Sequence, residues 1–428
     1  MKTFKFAIIG AGSTYTPELI EGLINMRESI PLRELVLMDI DAEKLHIVGG
    51  LAERMIRHAG LDCRFLLTQQ RDDALDGADI VFVQIRVGKL PARILDEKIP
   101  LKHGLIGQET TGIGGFFKAL RTVPVLADIM GRMTELCPDA FMINFSNPSG
   151  ICAQALYDMG YTRMMGLCNA PIAMLTDPAE ALGLDLTKTE SDYVGLNHFS
   201  FITSIRSGGV DYLKEAVSGD DRLLEKLSGQ QGFDKEIIRL AGAIPNGYLQ
   251  YYYFTRERFN YMQSAKETRG EICVQIERDL LQMYADEGLY EKPTLLSKRG
   301  GARYSEVALS LADAIANDRK QTHVVNVPNR GAFPFMEDGD VMELKAVVGK
   351  DGAVPIPMGE AGNRHIRSLL RSVKAYERYA AQAALTGDRD LALNALMCHP
   401  LTMDMPSARA CFDEMLEAHR PYLERFFR

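Results

Sequence analysis

The chain has 428 residues, of which 46% are apolar and 25% are charged, and its formal net charge is −8 at pH 7. This composition indicates a globular protein of two or three domains and argues against disordered and collagen-like chains. The acidic balance argues against nucleic acid or an anionic membrane as the main partner. Seven scattered cysteines without a CxxC pair indicate reduced thiols. Because no signal peptide and no membrane-length apolar run is found, we expect a cytoplasmic protein.

Strand-like and helix-like patterns alternate along the first half of the chain. The predicted strands are Phe4–Ile9, Glu34–Met38, Asp79–Ile85 and Ala140–Phe145, and the predicted helices are Pro17–Met26, Ala42–His58 and Phe117–Cys137. This alternation predicts an α/β fold with a doubly wound parallel sheet of the Rossmann type. The alternation fades after about residue 160. We therefore predict a nucleotide-binding domain over residues 1–165 and a second α/β domain, which binds substrate and metal, over residues 166–428.

The second half is less regular. Residues Ser191–Ile205 predict strands around a polar centre, and Asp211–Ala243 is charged and largely helical. Three further helices are predicted over Glu271–Tyr284, Tyr304–Asn317 and Ile366–Ala384.

A glycine turn follows the first predicted strand and opens a helix. Glycine lets the backbone approach a pyrophosphate, and the helix N-terminus supplies N–H donors. Asp39 ends the second strand, where a carboxylate can accept hydrogen bonds from a ribose and disfavours the 2′-phosphate of NADP. Arg33 or Lys44 could reverse that preference, and a plain tight turn is the alternative. The sequence predicts an NAD site at Gly10, Gly12, Ser13, Thr14 and Asp39.

Two isolated residues have the chemistry of metal ligands. Cys168 lies in MGLCNAP and His198 in GLNHF, each beside an asparagine and close to Gly or Pro in an otherwise apolar segment. One thiolate and one imidazole leave a divalent metal with open positions, which suits catalysis. The alternative for each residue is a buried core side chain. Tyr248 begins a run of tyrosines, which is either a packing stripe or, near a metal, the source of a general base.

Polar residues also follow several buried strands and loops. Asn147 lies in NFSNPSG, at the edge of the sheet where α/β proteins bind ligands, and Glu109 lies in a glycine-rich loop before a helix. Arg86 ends a buried strand, and Arg299 lies in a basic turn, KRGG. Either arginine could hold an anion. Turn chemistry, helix capping and solvated charge are the alternatives for these residues.

Taken in order, eight segments resemble those of glycoside hydrolase family 4, whose members are NAD- and metal-dependent glycosidases. The segments are GAGSTYTPEL, IGQETTGIGG, NFSNPSG, GLCN, GLNHFSF, YLQYYY, KRGGARYS and the final helices. Asn169 after Cys168, together with IGQETTG and KRGG, resembles the 6-phospho-β-glucosidases, whereas α-acting relatives usually carry Asp at that position. The resemblance implies a Rossmann domain followed by an α/β domain similar to that of lactate and malate dehydrogenases.

The resemblance also implies a redox-neutral elimination mechanism, unlike the two-carboxylate scheme of most glycosidases. NAD⁺ takes a hydride from C3 of the sugar, Tyr248 removes the C2 proton, and the aglycone leaves C1. Water then adds, and the hydride returns to C3. Cys168 and His198 match the ligands of a divalent metal, typically Mn²⁺, that polarises the C3 carbonyl.

Five residues match or are expected to provide substrate contacts: Arg86, Asn147, Asn169, Arg269 and Arg299. Arg86 and Arg299 are expected near the 6-phosphate, and Arg269 is expected to lower the pKa of Tyr248. An acid role for Glu109 near C1 is a further hypothesis.

The implied substrate is a phosphorylated disaccharide or an aryl β-glucoside 6-phosphate. A homo-oligomer, dimer or tetramer, is expected by the same resemblance. Three alternatives remain. The first is a relative that acts on an α-linked or unphosphorylated sugar. The second is an NAD-dependent dehydrogenase, which would produce NADH. The third is a nucleotide-sensing protein without turnover, which would not require Cys168, His198 and Tyr248 together.

Overall fold

The computed structural model describes residues 2–299, 304–359 and 361–428, so the glycines of the KRGG turn lie outside the described residues. The strands of the described residues are β1 Phe4–Ile9, β2 Leu32–Met38, β3 Arg64–Thr68, β4 Ile80–Val83, β5 Phe141–Asn144, β6 Met164–Gly166, β7 Thr189–Leu196, β8 Phe199–Ser207, β9 Val210–Asp211, β10 Ile244–Pro245, β11 Gln321–Pro328, β12 Val341–Gly349 and β13 Gly352–Pro355.

The α-helices are distributed over both halves of the chain. In chain order they are α1 Thr16–Asn25, α2 Ala42–His58, α3 Arg71–Leu75, α4 Lys89–Lys102, α5 Gly112–Leu136, α6 Ser149–Asp158, α7 Ala170–Leu182, α8 Tyr212–Ser218, α9 Asp221–Leu227, α10 Lys235–Ala241, α11 Gln250–Tyr253, α12 Thr255–Ser264, α13 Arg269–Tyr284, α14 Tyr304–Ala316, α15 Arg364–Thr386, α16 Arg389–Cys398 and α17 Met405–Ala418. No helix of the described ranges is both long and apolar enough to cross a membrane.

The main sheet has the strand order β13-β12-β11-β6-β5-β4-β1-β2-β3. The six strands from β3 to β6 are parallel, in the order typical of a dinucleotide-binding Rossmann fold. Strands β1, β4 and β5 are buried along their whole length, as expected of parallel strands covered by helices on both faces. The predicted α/β, doubly wound Rossmann fold class is therefore confirmed.

Three antiparallel strands from the second half extend the same sheet. Asn326 on β11 pairs with Gly166 on β6, and β12 and β13 follow. A separate antiparallel sheet contains β10, β8 and β7, with β9 paired to β8. The division at residue 165 stays a prediction, but the two halves of the chain share one sheet.

Several elements differ from their predictions for local reasons. Helix α5 begins at Gly112, five residues before the predicted start. Gly114 and Gly115 lie in its first turn, where the neighbouring backbone leaves no room for a side chain. A Cβ at Gly114 would lie 2.3 Å from the Gln108 carbonyl oxygen. Strand β6 has only three residues, too few for a periodic pattern. Helix α4 contains Pro100, and proline weakens a helical signal.

Candidate active site

A cleft of about 1770 Å³ runs along the carboxyl ends of the parallel strands. Ligands bind at this edge in open α/β sheets, because the loops after the strands meet there. Eleven of the thirteen residues predicted for the site line it: Gly10, Gly12, Ser13, Asp39, Arg86, Asn147, Asn169, His198, Tyr248, Arg269 and Arg299. Cys168 is buried directly beside His198.

Thr14 is the predicted site residue that the structure does not bring to the cleft. It is fully buried at the start of α1, and the Tyr284 hydroxyl donates to its carbonyl oxygen at 2.8 Å. The contact with Tyr284 holds this residue on the core side of the turn. The Thr14 Oγ1 atom is buried without a hydrogen-bond partner, and the predicted cofactor contact of this residue stays a prediction.

The glycine turn and Asp39 form one end of the cleft. Gly10 has φ +87°, and the backbone N–H groups of Gly10 and Ala11 both donate to the Met38 carbonyl at 2.9 Å. The Gly12 N–H donates to Asp39 Oδ2 at 2.8 Å, and a Cβ at Gly12 would lie 2.9 Å from that oxygen. Asp39 therefore stabilises the turn, and both positions line the cleft.

The two basic residues that could have favoured a 2′-phosphate are engaged elsewhere. Arg33 pairs with Asp79 at 2.7 Å and does not line the cleft. Lys44 pairs with Glu277 from helix α13. Both charges are therefore paired with carboxylates, although Lys44, like Asp39, lines the cleft. Asp39 is then expected to disfavour a 2′-phosphate there.

Cys168 and His198 meet although thirty residues separate them. The distance from Cys168 Sγ to His198 Nε2 is 3.5 Å, and both residues are buried. His198 adopts φ +62° in the two-residue turn between β7 and β8, which aims the imidazole at the cysteine. Burial and the nearby Lys118 lower the pKa of His198 to about 3. The imidazole is thus neutral at pH 7, as metal coordination requires.

The donor set fits a catalytic divalent metal. Burial raises the pKa of the Cys168 thiol to about 12, so only a nearby cation would make the thiolate prevalent at neutral pH. Among the described residues, no cluster of three or more His, Cys, Asp or Glu side chains could hold a metal ion. The Asn147 Oδ1 atom is buried without a hydrogen-bond partner. Cys168 and His198 alone would leave a divalent metal with open positions for substrate oxygens.

Tyr248 lies over the Cys168–His198 pair. It belongs to a single 3₁₀ turn, Gly247–Leu249, and its ring stacks on the His198 ring with centroids 4.1 Å apart. Burial raises the pKa of its phenol, and negative charge at Cys168 and Glu109 raises it further. A bound cation would act in the opposite direction.

The prediction that Arg269 lowers the pKa of Tyr248 gains no direct support from the contacts that Arg269 makes. Its guanidinium donates to the carbonyl oxygens of Lys298 and Arg299, at 2.8 and 3.2 Å. It is also absent from the groups with the largest effects on that pKa. The structure therefore assigns Arg269 to holding the Arg299 turn, a contact that sequence patterns do not reveal.

Glu109 lies in a buried cluster of cations. Lys118 and Arg93 both approach its carboxylate at 2.8 Å, and Arg86 forms a third ion pair. The three cations hold the pKa of Glu109 well below its usual range. An ionised carboxylate cannot donate a proton, so this arrangement does not support the acid role. Arg93 and Lys118 were not predicted, although Lys118 interrupts an apolar run and that was a usable signal.

Arg86 and Arg299 both line the cleft. Burial and the charge of Arg86 together lower the pKa of Arg299. Two neighbouring guanidinium groups repel, and an anion between them would remove that repulsion. Tyr304 was not predicted individually. Its hydroxyl is hydrogen-bonded to Cys168 and Asn147, so it connects the segments GLCN and NFSNPSG.

The comparisons with known proteins agree over the whole chain. Residues 5–184 match the family 4 glycosyl hydrolases, and residues 193–402 match the C-terminal domain of the same family. A protein of Bacillus subtilis (strain 168) named "Probable 6-phospho-beta-glucosidase" is 41% identical and covers 100% of this chain and 98% of its own. The 6-phospho-beta-glucosidase of Escherichia coli (strain K12) is 37% identical, over 99% and 96%.

Solved structures support the same grouping. The 6-phospho-beta-glucosidase of Thermotoga maritima, solved with manganese, NAD⁺ and glucose-6-phosphate, has a TM-score of 0.89 at 33% identity and covers 98% of this chain and 99% of its own. Malate dehydrogenase of Plasmodium falciparum, at 12% identity and a TM-score of 0.53, shares the fold alone. Related structures thus hold both NAD and Mn²⁺.

Proposed function

The chain belongs to the family 4 glycosyl hydrolases, and on that basis we propose that it hydrolyses 6-phospho-β-glucosides to glucose 6-phosphate and an aglycone or sugar. The observation that carries this proposal is the meeting of three parts in one cleft. These are the glycine turn with Asp39, the Cys168–His198 pair, and Tyr248 stacked on that pair. A simple dehydrogenase needs only the first part.

The β-linkage is favoured by relatives and by one residue. The relatives from Bacillus subtilis and Escherichia coli, at 41% and 37% identity, carry β-glucosidase names, whereas the Phospho-alpha-glucosidase PagL of Clostridium acetobutylicum is 30% identical. Asn169 lines the cleft after Cys168, where the resemblance places Asp in α-acting relatives.

The proposed reaction assigns a task to each group of the site. When bound, NAD⁺ and a divalent metal such as Mn²⁺ supply reversible hydride transfer at C3 and polarisation of the C3 carbonyl. Cys168 and His198 hold the metal, and Tyr248 takes the C2 proton. Asn147 and Asn169 orient the sugar hydroxyls. The aglycone leaves C1, water adds there, and the cofactor ends in its starting oxidation state.

The 6-phosphate is proposed to lie between Arg86 and Arg299. Both line the cleft, and their mutual repulsion favours an anion at that place. Arg269 supports this subsite, since it donates to the carbonyl of Arg299 at 3.2 Å. The proposal therefore explains why a phosphorylated sugar would be preferred over a neutral one.

The substrate test compares four p-nitrophenyl glucosides: the α- and β-anomers, each with and without the 6-phosphate. With NAD⁺, Mn²⁺ and reductant present, we expect release of nitrophenol from the β-anomer 6-phosphate alone. Removal of NAD⁺ should abolish activity, and one NAD⁺ should support many turnovers. Preference for the α-anomer or for the unphosphorylated sugar would support the family alternatives. Stoichiometric NADH would instead indicate the dehydrogenase.

Gly12→Ala is expected to weaken NAD⁺ binding by about 10–100-fold, because overpacking costs about 1–3 kcal/mol. The new Cβ would lie 2.9 Å from Asp39 Oδ2 and would displace that carboxylate. Isothermal titration measures the affinity. The matched control is Gly50→Ala in helix α2, whose nearest neighbour would be Arg54 Nη1 at 3.4 Å. The control should bind NAD⁺ normally, and equal losses in both variants would contradict the cofactor assignment.

Two broader proposals accompany this function. We propose that the nucleotide-binding domain ends near residue 165 and that the protein is a dimer or tetramer. Light scattering coupled to size-exclusion chromatography tests the second proposal, and a monomeric mass at assay concentration would contradict it.

A further inference from the structure

Glu343 is a buried acidic residue that none of the assignments above uses. It lies on β12 with 1% of its surface exposed. Three neutral groups donate to its carboxylate: the Tyr193 hydroxyl at 2.5 Å, Asn197 Nδ2 at 3.0 Å and Asn326 Nδ2 at 3.3 Å. Within residues 2–299, 304–359 and 361–428, no basic side chain forms an ion pair with it.

Two of the three partners reach the segments that carry the metal ligands. Asn197 directly precedes His198, and its Oδ1 accepts a hydrogen bond from the Ser149 N–H at 3.1 Å. Asn326 pairs with Gly166, two residues before Cys168, and approaches the Gly166 carbonyl at 3.4 Å. Through these two asparagines, Glu343 is linked by hydrogen bonds to β6 and to the segments that follow β5 and β7.

The third partner leads to Tyr248. The Tyr193 hydroxyl, which donates to Glu343, lies 2.6 Å from Ser200 Oγ. Asn246 Nδ2 donates to the same Ser200 oxygen at 3.1 Å, and Asn246 Oδ1 accepts from the Tyr248 N–H at 3.0 Å. Tyr193, Ser200 and Asn246 are all buried, so this chain of hydrogen bonds is shielded from solvent.

The second observation is that no basic side chain of the described residues pairs with the carboxylate of Glu343. A buried carboxylate is costly unless it is paired or faces a metal ion. Burial raises the pKa of Glu343 to about 7, so without a nearby cation the carboxylate is only partly ionised at neutral pH. A divalent cation held by Cys168 and His198 would therefore also neutralise Glu343.

We propose that Glu343 is a positioning residue that holds Cys168, His198 and Tyr248 in register, and that its carboxylate is the counter-charge of the metal. This inference rests on the proposed function. Metal ligands depend on such outer partners for their orientation, and loss of a partner commonly weakens metal affinity or activity by about 10–100-fold.

The test measures Mn²⁺ binding directly, by electron paramagnetic resonance of the free ion in titrations of the full-length, NAD⁺-loaded protein. Glu343→Gln keeps the size of the side chain and an oxygen for the two asparagines, but it removes the charge. We expect the Kd for Mn²⁺ to rise by about 10–100-fold and kcat to fall. The KM for substrate should change little, because Glu343 does not line the cleft. A merely structural role would lower thermal stability and leave the Mn²⁺ affinity unchanged.

Two control variants separate the branches. Tyr193→Phe removes only the branch to Tyr248, so kcat should fall while the Mn²⁺ affinity stays within about threefold, as expected when the outer partners of the ligands are kept. Asp313→Asn removes another buried carboxylate, on helix α14, which is paired with Arg319 at 3.1 Å and with Asn317 at 2.6 Å. Its Mn²⁺ affinity should match that of the wild type.

Each outcome decides the inference. Glu343→Gln with wild-type Mn²⁺ affinity would overturn it, as would equal losses in Asp313→Asn. If the glutamine variant does not fold, Glu343→Asp replaces it, because it keeps the charge but is one methylene shorter. In the aspartate variant, the Mn²⁺ affinity should fall by a smaller factor than kcat. Wild-type values for both would overturn the inference. A wild-type protein that binds no Mn²⁺ would overturn the proposed function itself.

Discussion

Tyr248→Phe is expected to lower kcat by about 10²–10⁴-fold, the usual effect of removing a positioned acid–base group. Only the hydroxyl is lost, so the stacking on His198, with centroids 4.1 Å apart, should survive. The variant should also lose exchange of the C2 hydrogen of the sugar with solvent deuterium. Hydride exchange at C3 should persist, because that step does not use the phenol.

The matched control is Tyr252→Phe, four residues further along the same turn and helix. Tyr252 packs on Phe199 and Tyr253 and does not line the cleft. Its activity should remain within about threefold of wild type, as is usual for a hydroxyl outside the site. A Tyr248→Phe protein that exchanges C2 hydrogen at the wild-type rate would refute the assignment and direct attention to another base.

The same residue makes a prediction about pH. A general base acts only when deprotonated, and burial raises the pKa of Tyr248. The rate of C2 exchange should therefore rise with pH up to the pKa of Tyr248 in the loaded site. Tyr248→Phe should lose this dependence, whereas Tyr252→Phe should retain it.

Cys168→Ser is expected to weaken Mn²⁺ binding by at least about 10²-fold, more than the loss of an outer partner would. A serine hydroxyl does not ionise in this range and is a poor substitute for a thiolate. Activity should fall in parallel with metal content. Mass spectrometry of the metal bound after dialysis, together with kcat, provides the measurement.

Cys152→Ser is the control for burying a hydroxyl in place of a thiol. Cys152 is fully buried in helix α6, and burial raises its pKa to about 12, as at Cys168. It contacts no metal ligand in the cleft and should keep wild-type Mn²⁺ affinity. If Cys168→Ser remains active after chelation and dialysis, the assignment of Cys168 as a ligand is wrong.

Proton release gives an independent check on Cys168. Burial raises the pKa of the thiol to about 12, so metal binding at neutral pH must displace its proton. The Mn²⁺ affinity of the wild type should then increase by about tenfold for each unit of pH, since one proton is released. Cys168→Ser should show a weaker pH dependence.

Local patterns were enough to predict the glycine turn with Asp39, which forms the proposed nucleotide end of the cleft. The Gly10–Gly12 turn follows a buried strand and precedes a helix, and Asp39 ends the neighbouring strand. Their geometry depends on contacts within one βαβ unit, such as the Gly12 N–H donating to Asp39 at 2.8 Å. The apolar runs likewise predicted the doubly wound sheet, because hydrophobic periodicity specifies which faces are buried.

The order of the motifs also identified the residues that come together. Cys168, His198 and Tyr248 were predicted as one centre from their segments, and the structure places all three in contact, with 3.5 Å between sulfur and imidazole. The resemblance supplied that grouping. The spacing of the residues along the chain would not have done so.

The ionic and hydrogen-bonded surroundings of the site required the tertiary structure. Sequence periodicity shows that a helix face is buried but does not say which distant polar group it meets. Lys118 and Arg93, on two different helices, therefore gave no sign that they converge on Glu109. Glu343 lies about 150 residues after its partner Tyr193. Its strand, β12, is brought close to the proposed metal ligands because its neighbour β11 pairs with β6.

The sequence by itself thus determined the fold class, and it predicted the glycine turn and the principal side chains of the proposed chemistry, because short-range contacts or motif order specify each of them. The tertiary structure alone decided which charges surround these side chains. It showed Thr14 facing the core, Arg269 holding a turn and Glu109 ionised among three cations. These outcomes depend on burial and on partners far along the chain, and for a charged group both determine its protonation state and therefore its role.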